Sequence, residues 1–192
     1  MGRLEWQKGH AQALSIVLSA SEQLRLQLLA PEGSADAAHL QRQAQRQGKP
    51  EQLELLLGLD LNQRRRVLQQ ALCLLSWSET EYQSLAMLEA LACGTPVIAT
   101  DVGGVAETLG HPFDAESLAA CRDGAEAPSG GVLVPAGDAS TMAQVLITLL
   151  ERPPLRAAMS RTAIADARKR FDLTQCAAAY LEWFAMHPTA PS

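Results

Sequence analysis

The chain of 192 residues carries a formal net charge of -5 at pH 7, and 47% of its residues are hydrophobic. This length and this composition fit one globular domain with a sizeable core, and they exclude wholesale disorder. The negative net charge excludes a protein that binds nucleic acid through its overall charge, so no nucleic-acid partner is expected. The three consecutive arginines at positions 64–66 are interpreted as a solvated helix face.

Cysteine usage and hydropathy limit the possible sites and locations. None of the four cysteines belongs to a C-x-x-C pair, which argues against a metal site and a disulfide framework and favours a reducing cytoplasm. No apolar run approaches the ~18 residues of a membrane span, so no transmembrane segment is expected. The first residues also lack the apolar core of a signal peptide.

Short apolar runs alternate with longer helical patterns along the chain. The runs that predict strands cover residues 24–29, 53–57, 72–75, 97–100 and 132–134. Helices are predicted at 8–20, 35–47, 62–70, 84–93, 141–150, 155–171 and 173–186. Continuous apolar strands that alternate with helices are typical of a doubly wound α/β domain with a mostly parallel, Rossmann-like sheet and, here, a helical C-terminal tail. We therefore expect a single domain over residues 1–192.

Three further features carry predictions of their own. The pair Gly103–Gly104 follows the strand at 97–100 and predicts a turn into a short helix. Residues 110–131 are rich in Gly, Pro, Ala and Asp and predict an irregular surface insertion. The last helix carries Tyr180, Trp183 and Phe184, which are interpreted as core residues rather than as a ligand site.

The start of the fold departs from this pattern. A doubly wound unit opens with a strand that is central in the order 3-2-1-4-5-6, but only residues 1–4 stand before the loop into the first predicted helix. The first central strand is therefore expected to be missing, which would leave a gap with facing, unpaired edges between the strands at 24–29 and 72–75. We expect the isolated chain to be marginally stable or prone to aggregation, and an added apolar segment before Gly2 to restore its stability.

Two glutamates and a helix start form the first candidate site. Glu81 lies in the loop after the strand at 72–75, at the carboxyl end of a parallel strand, where doubly wound domains bind ligands. Ser84 and Leu85 would begin the next helix, whose free N–H groups and dipole favour an anion. Glu89 lies about 7 Å further along that helix. This layout matches a diphosphate between two sugars; two solvated carboxylates are the alternative.

A second candidate element combines cations with glycines near the N-terminus. Gly2 and Arg3, followed by Lys8 and Gly9, bracket a loop at the end of the expected first strand. A glycine lets the backbone approach a ligand closely, and two cations there could neutralise a diphosphate. Ordinary surface cations are the alternative interpretation.

Four motifs, in this order, resemble the C-terminal domain of the retaining glycosyltransferases with the GT-B fold (glycosyltransferase group 1, family 4). Residues 2–4 with 8–9 are similar to the family's G-R-L…K-G, and residues 30–33 stand where a G-D/E-G loop is usual. Residues 78–100 are similar to S-x-x-E-G-x-G-L-x-x-L-E-A-x-A-x-G-x-P-V-I-A-T, and residues 131–138 are similar to G-x-L-V-P-P-G-D. The resemblance covers nearly the whole chain.

The resemblance implies catalytic roles for three residues. Arg3 and Lys8 would hold the donor diphosphate and stabilise its charge as the nucleotide leaves. Glu81 would hydrogen-bond the hydroxyls of the donor sugar, and Gly2 would belong to the same nucleotide-sugar site. Because cations and a helix end neutralise the diphosphate, neither a metal ion nor another cofactor is expected.

The resemblance also implies binding roles on the helix that follows Glu81. Backbone N–H groups of Ser84 and Leu85 would bind phosphate, and Glu89 would bind the ribose hydroxyls. The chain departs from the family pattern at Tyr82 and Gln83, where a glycine and an aromatic residue are common. These departures bear on the sugar pocket more than on the fold.

The resemblance implies a hexosyltransferase-like enzyme that transfers a glycosyl group from a nucleoside-diphosphate sugar to an acceptor with retention of configuration. This chain would supply the donor-binding half. The N-terminal acceptor domain would be absent or a separate subunit, through which peripheral membrane contact could occur. The isolated chain is then expected to be inactive. A non-catalytic nucleotide-sugar-binding module and an inactive truncated fragment are the alternatives, and an epimerase of the same fold is disfavoured.

Overall fold

The structure, a computed structural model, describes residues 8–32, 37–123 and 126–186. Its strands are β1 (Leu26–Ala30), β2 (Leu53–Leu57), β3 (Leu74–Ser76), β4 (Val97–Thr100) and β5 (Gly131–Val134). Its helices are α1 (His10–Ala20), α2 (Ala37–Arg46), α3 (Leu61–Gln70), α4 (Leu85–Cys93), α5 (Val105–Leu109), α6 (Ala115–Ala120), α7 (Ala139–Glu151), α8 (Pro153–Phe171) and α9 (Leu173–Met186). Every predicted strand and helix is present, with ends that differ by at most about two residues.

The strands pair in parallel. β1 pairs with β2, so that Leu28 lies opposite Leu55. β4 lies between β3 and β5, so that Ile98 is flanked by Leu75 and Val132. Parallel strands joined by helices confirm the predicted doubly wound α/β class with its helical C-terminal tail.

β4 is the most deeply buried strand, with Val97, Ile98 and Ala99 inaccessible to solvent. Ile98 packs in a core cluster with Met142 of α7, while Val97 and Ala99 pack in another with Met87 of α4 and residues of α8. Helices therefore cover both faces of this strand. Burial on both faces is why its sequence is a continuous apolar run and does not alternate with polar residues.

Among the described residues, the sheet is interrupted between β1 and β3. These two strands do not pair with each other, and a cavity of about 290 Å³ lies between them. α1 begins where Gly9 approaches Trp77, just after β3, and it ends where Lys49, just before β2, donates to the carbonyl oxygen of Leu18. β1 and β3 therefore run in the same direction, and the spatial order is β2-β1-gap-β3-β4-β5. The gap has the position predicted for the first central strand. Residues 1–7 lie outside the described residues, so the absence of that strand stays a prediction.

The stretch at 110–131 is not the irregular surface insertion that its composition predicts. It contains α6, which begins with a capping box between Asp114 and Ser117. Phe113 and Leu118 are buried, and Phe113 forms a parallel bridge with Val132 of β5. The prediction was wrong because two apolar anchors attach a short capped helix to the core, although most of the surrounding residues are small or polar.

The apolar residues of α9 are not core residues, contrary to the prediction. No residue of α9 is buried, and Tyr180, Trp183 and Phe184 are each more than half exposed. Their sequence pattern is that of a buried face, but the described part of the chain offers no second layer to cover it. None of the described helices is both long enough and apolar enough to cross a membrane.

Candidate functional site

The carboxyl ends of the strands carry the candidate site. Glu81 follows β3, and its Oε2 atom accepts a hydrogen bond from Nζ of Lys8 at 2.6 Å. The Glu81 side chain is 12% exposed and the Lys8 side chain is 35% exposed, so the ion pair is partly desolvated. Charge-assisted hydrogen bonds of this kind are stronger than neutral ones. This one joins two segments that are 73 residues apart in the sequence.

The position of Lys8 depends on a close contact between Gly9 and the chain after β3. Gly9 precedes α1 with a φ of 60°. A Cβ atom on this residue would lie 2.1 Å from the carbonyl oxygen of Trp77. Glycine alone combines the left-handed conformation with so close an approach. The first turn of α1 therefore begins directly beside the loop that carries Glu81.

A second glycine turn holds Glu81 from the other side. The N–H of Gly104 donates to the carbonyl oxygen of Glu81 at 2.9 Å. A Cβ atom on Gly103, whose φ is 54°, would lie 2.0 Å from that oxygen, and one on Gly104 would lie 2.1 Å from the carbonyl oxygen of Tyr82. The sequence placed this pair in a turn at the site. The structure shows that it acts by packing against the backbone of residues 81–82.

α4 begins at the same pocket. Ser84 precedes the helix with extended dihedral angles and makes no side-chain cap hydrogen bond, and Leu85, the first helical residue, is 73% exposed. The first turn of α4 therefore presents main-chain N–H groups and the positive end of the helix dipole. Lys8, Glu81 and Ser84 line one small cavity of about 50 Å³. A cation, a carboxylate and a helix N-terminus thus meet in one polar pocket.

Glu89 lies further along α4 and is paired with a residue of α3. The Nη1 atom of Arg64 lies 3.7 Å from Oε2 of Glu89. The interpretation of the arginine run as a solvated face is therefore wrong for Arg64, which turns toward α4, and right for Arg65 and Arg66, which are exposed. Nothing in the local pattern distinguishes Arg64 from its neighbours, because its partner lies on another helix.

Arg64 also borders a second cavity. This cavity, of about 250 Å³, lies at the carboxyl ends of β1 and β2 and is lined by Ala30, Gly58 and Leu59 among others. The ion pair of Arg64 with Glu89 connects it to α4. The polar pocket contains Ser84 of α4, and this mostly apolar cavity is linked to Glu89 of the same helix through Arg64.

The predicted site residues that the structure describes all lie along this edge. Lys8, Glu81 and Ser84 line the polar pocket. Leu85 follows Ser84 as the first residue of α4, and Glu89 lies further along the same helix. Gly2 and Arg3 lie outside the described residues, so their roles stay predictions.

Two cysteine thiols near these elements are held in their neutral form. Burial raises the pKa of the Cys93 thiol, at the end of α4, although nearby Arg65 lowers it. Burial raises the pKa of the Cys73 thiol, beside the gap in the sheet, to about 12. Both thiols are protonated at neutral pH, and the thiolate is the nucleophilic form. The described residues contain no group of three or more His, Cys, Asp or Glu side chains that could hold a metal ion.

The sequence matches the family model described as glycosyl transferases group 1 over residues 1–166. It is also similar to solved structures. HepE from Anabaena, solved in complex with UDP-glucose, superposes with a TM-score of 0.79 at 21% sequence identity, covering 97% of this chain and 47% of that chain. No curated protein sequence matches this chain.

Two further solved structures have the same fold. Sucrose-phosphate synthase from Thermosynechococcus elongatus has a TM-score of 0.73 at 23% identity, covering 97% of this chain and 45% of that chain. A glycosyltransferase from Rickettsia africae has a TM-score of 0.79 at 15% identity, covering 98% of this chain and 47% of that chain. This chain thus spans about half the length of the solved structures it matches. At these identities the similarity establishes the fold.

Replacing Gly103 by alanine should displace the Glu81 loop. Gly48 is the matched control, because it also has a positive φ, of 70°, but a Cβ atom there would meet nothing within 4 Å. Gly48→Ala should cost about 1 kcal/mol from backbone strain alone. Gly103→Ala should cost roughly 3 kcal/mol, because the backbone of Glu81 must also move. Urea unfolding measures both, and equal losses would contradict the proposed packing.

Proposed function

The chain belongs to the group 1 glycosyl transferases, and we propose that it provides the donor-binding half of a retaining glycosyltransferase. Its ligand is a nucleoside-diphosphate sugar, and the glycosyl group is transferred to an acceptor held by a second domain or subunit. The observation that carries this proposal is the meeting of Lys8, Glu81 and the N-terminus of α4 in one pocket at the carboxyl edge of the sheet.

The diphosphate lies between Lys8 and the start of α4. Main-chain N–H groups of Ser84 and Leu85 donate to phosphate oxygens, and the helix dipole favours their negative charge. Arg3, which lies outside the described residues, is proposed to supply a second cation for the diphosphate. With two cations and a helix end available, neutralisation of the diphosphate needs no divalent metal ion, and we propose that none takes part.

The transferred sugar lies against Glu81. A carboxylate accepts hydrogen bonds from vicinal sugar hydroxyls, and Glu81 is held in place by the Gly103–Gly104 turn. Without donor, Glu81 is neutralised by Lys8 at 2.6 Å. Donor binding therefore exchanges an ion pair within the protein for two ligand contacts, phosphate on Lys8 and hydroxyls on Glu81, and leaves neither charge unpaired.

The nucleoside extends along α4 toward α3. Glu89 accepts hydrogen bonds from the ribose hydroxyls, with Arg64 orienting its carboxylate. The base then reaches the cavity of about 250 Å³ at the ends of β1 and β2, which Arg64 also borders. This order places the sugar at Glu81, the ribose at Glu89 and the base in the cavity that Arg64 borders.

The chemical step breaks the bond between the anomeric carbon and a diphosphate oxygen. Negative charge develops on the leaving nucleoside diphosphate. Lys8 and the N-terminus of α4 are already in place to stabilise it, which lowers the barrier without reorganisation during the reaction. Arg3 is proposed to add a further positive charge. The acceptor oxygen forms the new bond to the anomeric carbon, and its proton passes to the leaving diphosphate oxygen. For retention the acceptor hydroxyl must be held over the same face of the sugar, and that is the task of the second domain.

A non-catalytic nucleotide-sugar-binding module is the second candidate function. Both functions use the same pocket, and they differ in whether transfer occurs when an acceptor-binding partner is present.

Lys8→Ala should weaken binding of UDP or GDP by about 1.5–3 kcal/mol, which is the loss of a charge-assisted contact. The variant also leaves Glu81 without its cation, so a Lys8→Ala/Glu81→Gln double variant should recover part of the loss. Isothermal titration calorimetry measures these affinities. Lys49→Ala is the control, because Lys49 is a partly buried lysine next to the start of β2, at the opposite edge of the sheet. Equal binding by Lys8→Ala and the wild type would refute the assignment.

Glu89→Ala should reduce the preference for a ribose. The wild type is expected to bind UDP about tenfold more tightly than its 2′-deoxy analogue, since one hydrogen bond to a charged group is lost. The variant should bind both ligands with similar affinity. Calorimetry with the two nucleotides measures the ratio, and a ratio unchanged by the substitution would place the ribose elsewhere.

These 192 residues alone should bind the donor but should not transfer its sugar. Transfer requires that donor and acceptor be held together in reacting geometry, and this chain provides the donor pocket. A radiolabelled donor incubated with the purified chain and a panel of acceptors checks this expectation. Turnover in the absence of any partner would show that no second domain is needed.

A further inference from the structure

The cavity of about 250 Å³ at the carboxyl ends of β1 and β2 combines apolar walls with one charged side chain. Leu29, Leu56 and Leu59 are among the residues that line it. Arg64 is the only polar side chain among its described lining residues. A guanidinium group donates hydrogen bonds and accepts none. The cavity therefore suits a flat, largely apolar ring that presents acceptor atoms to Arg64.

Much of the hydrogen-bonding capacity of Arg64 is unused. Its Nε atom is buried and has no hydrogen-bond partner among the described residues. Its Nη1 atom lies 3.7 Å from Oε2 of Glu89, which is an ion-pair distance but too long for a hydrogen bond. A buried donor without a partner lowers stability. A ligand with adjacent acceptor atoms in the cavity would supply partners that the described part of the chain does not.

A carboxylate lies at the edge of the same cavity. Glu32 follows β1 by two residues, and a Cβ atom on Gly58, which lines the cavity, would lie 2.8 Å from Oε1 of Glu32. Gly58 has a φ of 66°. Within the described residues, Glu32 forms no ion pair with Arg64 or with any other cation. An acceptor-only group and a donor-only group are thus available to a ligand at one cavity.

We propose that this cavity selects guanine, so that the donor substrate is a guanosine-diphosphate sugar. This inference rests on the proposed function, which brings the nucleoside along α4 to the cavity. Arg64 donates to O6 and N7 of the base, which is the bidentate pairing of arginine with guanine. Glu32 accepts from N1–H and from the amino group on C2, two adjacent donors that match the two oxygens of a carboxylate.

The other bases satisfy at most one of these two groups fully. Adenine carries an amino group where guanine has O6, so it sets a donor against Arg64, and its N1 acceptor faces the carboxylate of Glu32. Uracil offers carbonyl oxygens to Arg64 but has one N–H for Glu32. Cytosine offers an amino group to Glu32 but has one carbonyl oxygen for Arg64. Guanine alone presents adjacent acceptors and adjacent donors on neighbouring edges.

The test compares nucleoside diphosphates that share the ribose and the diphosphate and differ only in the base. Calorimetry with the whole chain measures the affinities for GDP, UDP, ADP and inosine diphosphate. GDP should bind at least about tenfold more tightly than UDP or ADP, because one bidentate pair is lost with either of them. Inosine diphosphate, which lacks the amino group on C2, should bind about tenfold more weakly than GDP.

Two variants separate the two contacts. Glu32→Gln should lower the ratio of GDP to UDP affinity about tenfold and should favour xanthosine diphosphate, because the carbonyl on C2 of xanthine accepts from the new amide. Arg64→Lys keeps a positive charge beside Glu89 but loses the planar fork, so the same ratio should fall about tenfold. Glu51→Gln and Arg66→Leu are matched controls at exposed positions and should leave the ratio unchanged.

The possible failures of this inference and of the donor site are distinguishable. Equal binding of GDP and UDP by the wild type, with both weakened in Lys8→Ala, would overturn the selection of guanine and retain the donor site. A preference for GDP that neither Glu32→Gln nor Arg64→Lys reduces would place the base outside this cavity and would also overturn the inference. Failure of every nucleotide to bind would refute the proposed function and the inference together.

Discussion

The backbone of the Gly103–Gly104 turn lies in direct contact with the backbone of residues 81–82, and the rest of the site depends on that contact. No side chain could be inserted there, since a Cβ atom at either glycine would lie about 2 Å from a carbonyl oxygen. The contact holds the Glu81 loop between β4 and the start of α1. Gly9 makes the equivalent contact with Trp77 on the other side. These close main-chain contacts, at Gly9 and at the Gly103–Gly104 turn, bring Lys8 and Glu81 together.

Charge is balanced at this edge before any ligand binds. Lys8 neutralises Glu81, and Arg64 lies within ion-pair distance of Glu89. A partly buried carboxylate without a partner would be costly, so each of the two carboxylates in the proposed donor site has a cation of its own. A ligand that carries both negative phosphates and hydroxyl groups can replace these internal pairs without loss. A purely anionic ligand would satisfy Lys8 but would leave Glu81 without its cation. If this edge is the donor site that we propose, the pairing favours a nucleotide sugar over free phosphate.

The gap between β1 and β3 divides the sheet, and the helices hold the two parts together. α1 packs against α2 and β1 through Leu14 and Leu18, and its Ile16 and Val17 belong to the core cluster of α7. The apolar faces of α1 and α3 that meet across the gap are therefore kept in place although no described strand lies between them.

Sequence alone determined the layered α/β architecture, because strands buried on both faces and amphipathic helices leave a local periodic signature. It also determined that Glu81, the start of α4 and Glu89 share one edge, since their spacing along a single loop and helix is a local property. Tertiary structure alone decided the rest. The pairing of Arg64 with Glu89 and the exposure of α9 depend on which elements pack together. Such contacts join distant parts of the chain, and the sequence around one partner does not predict the other.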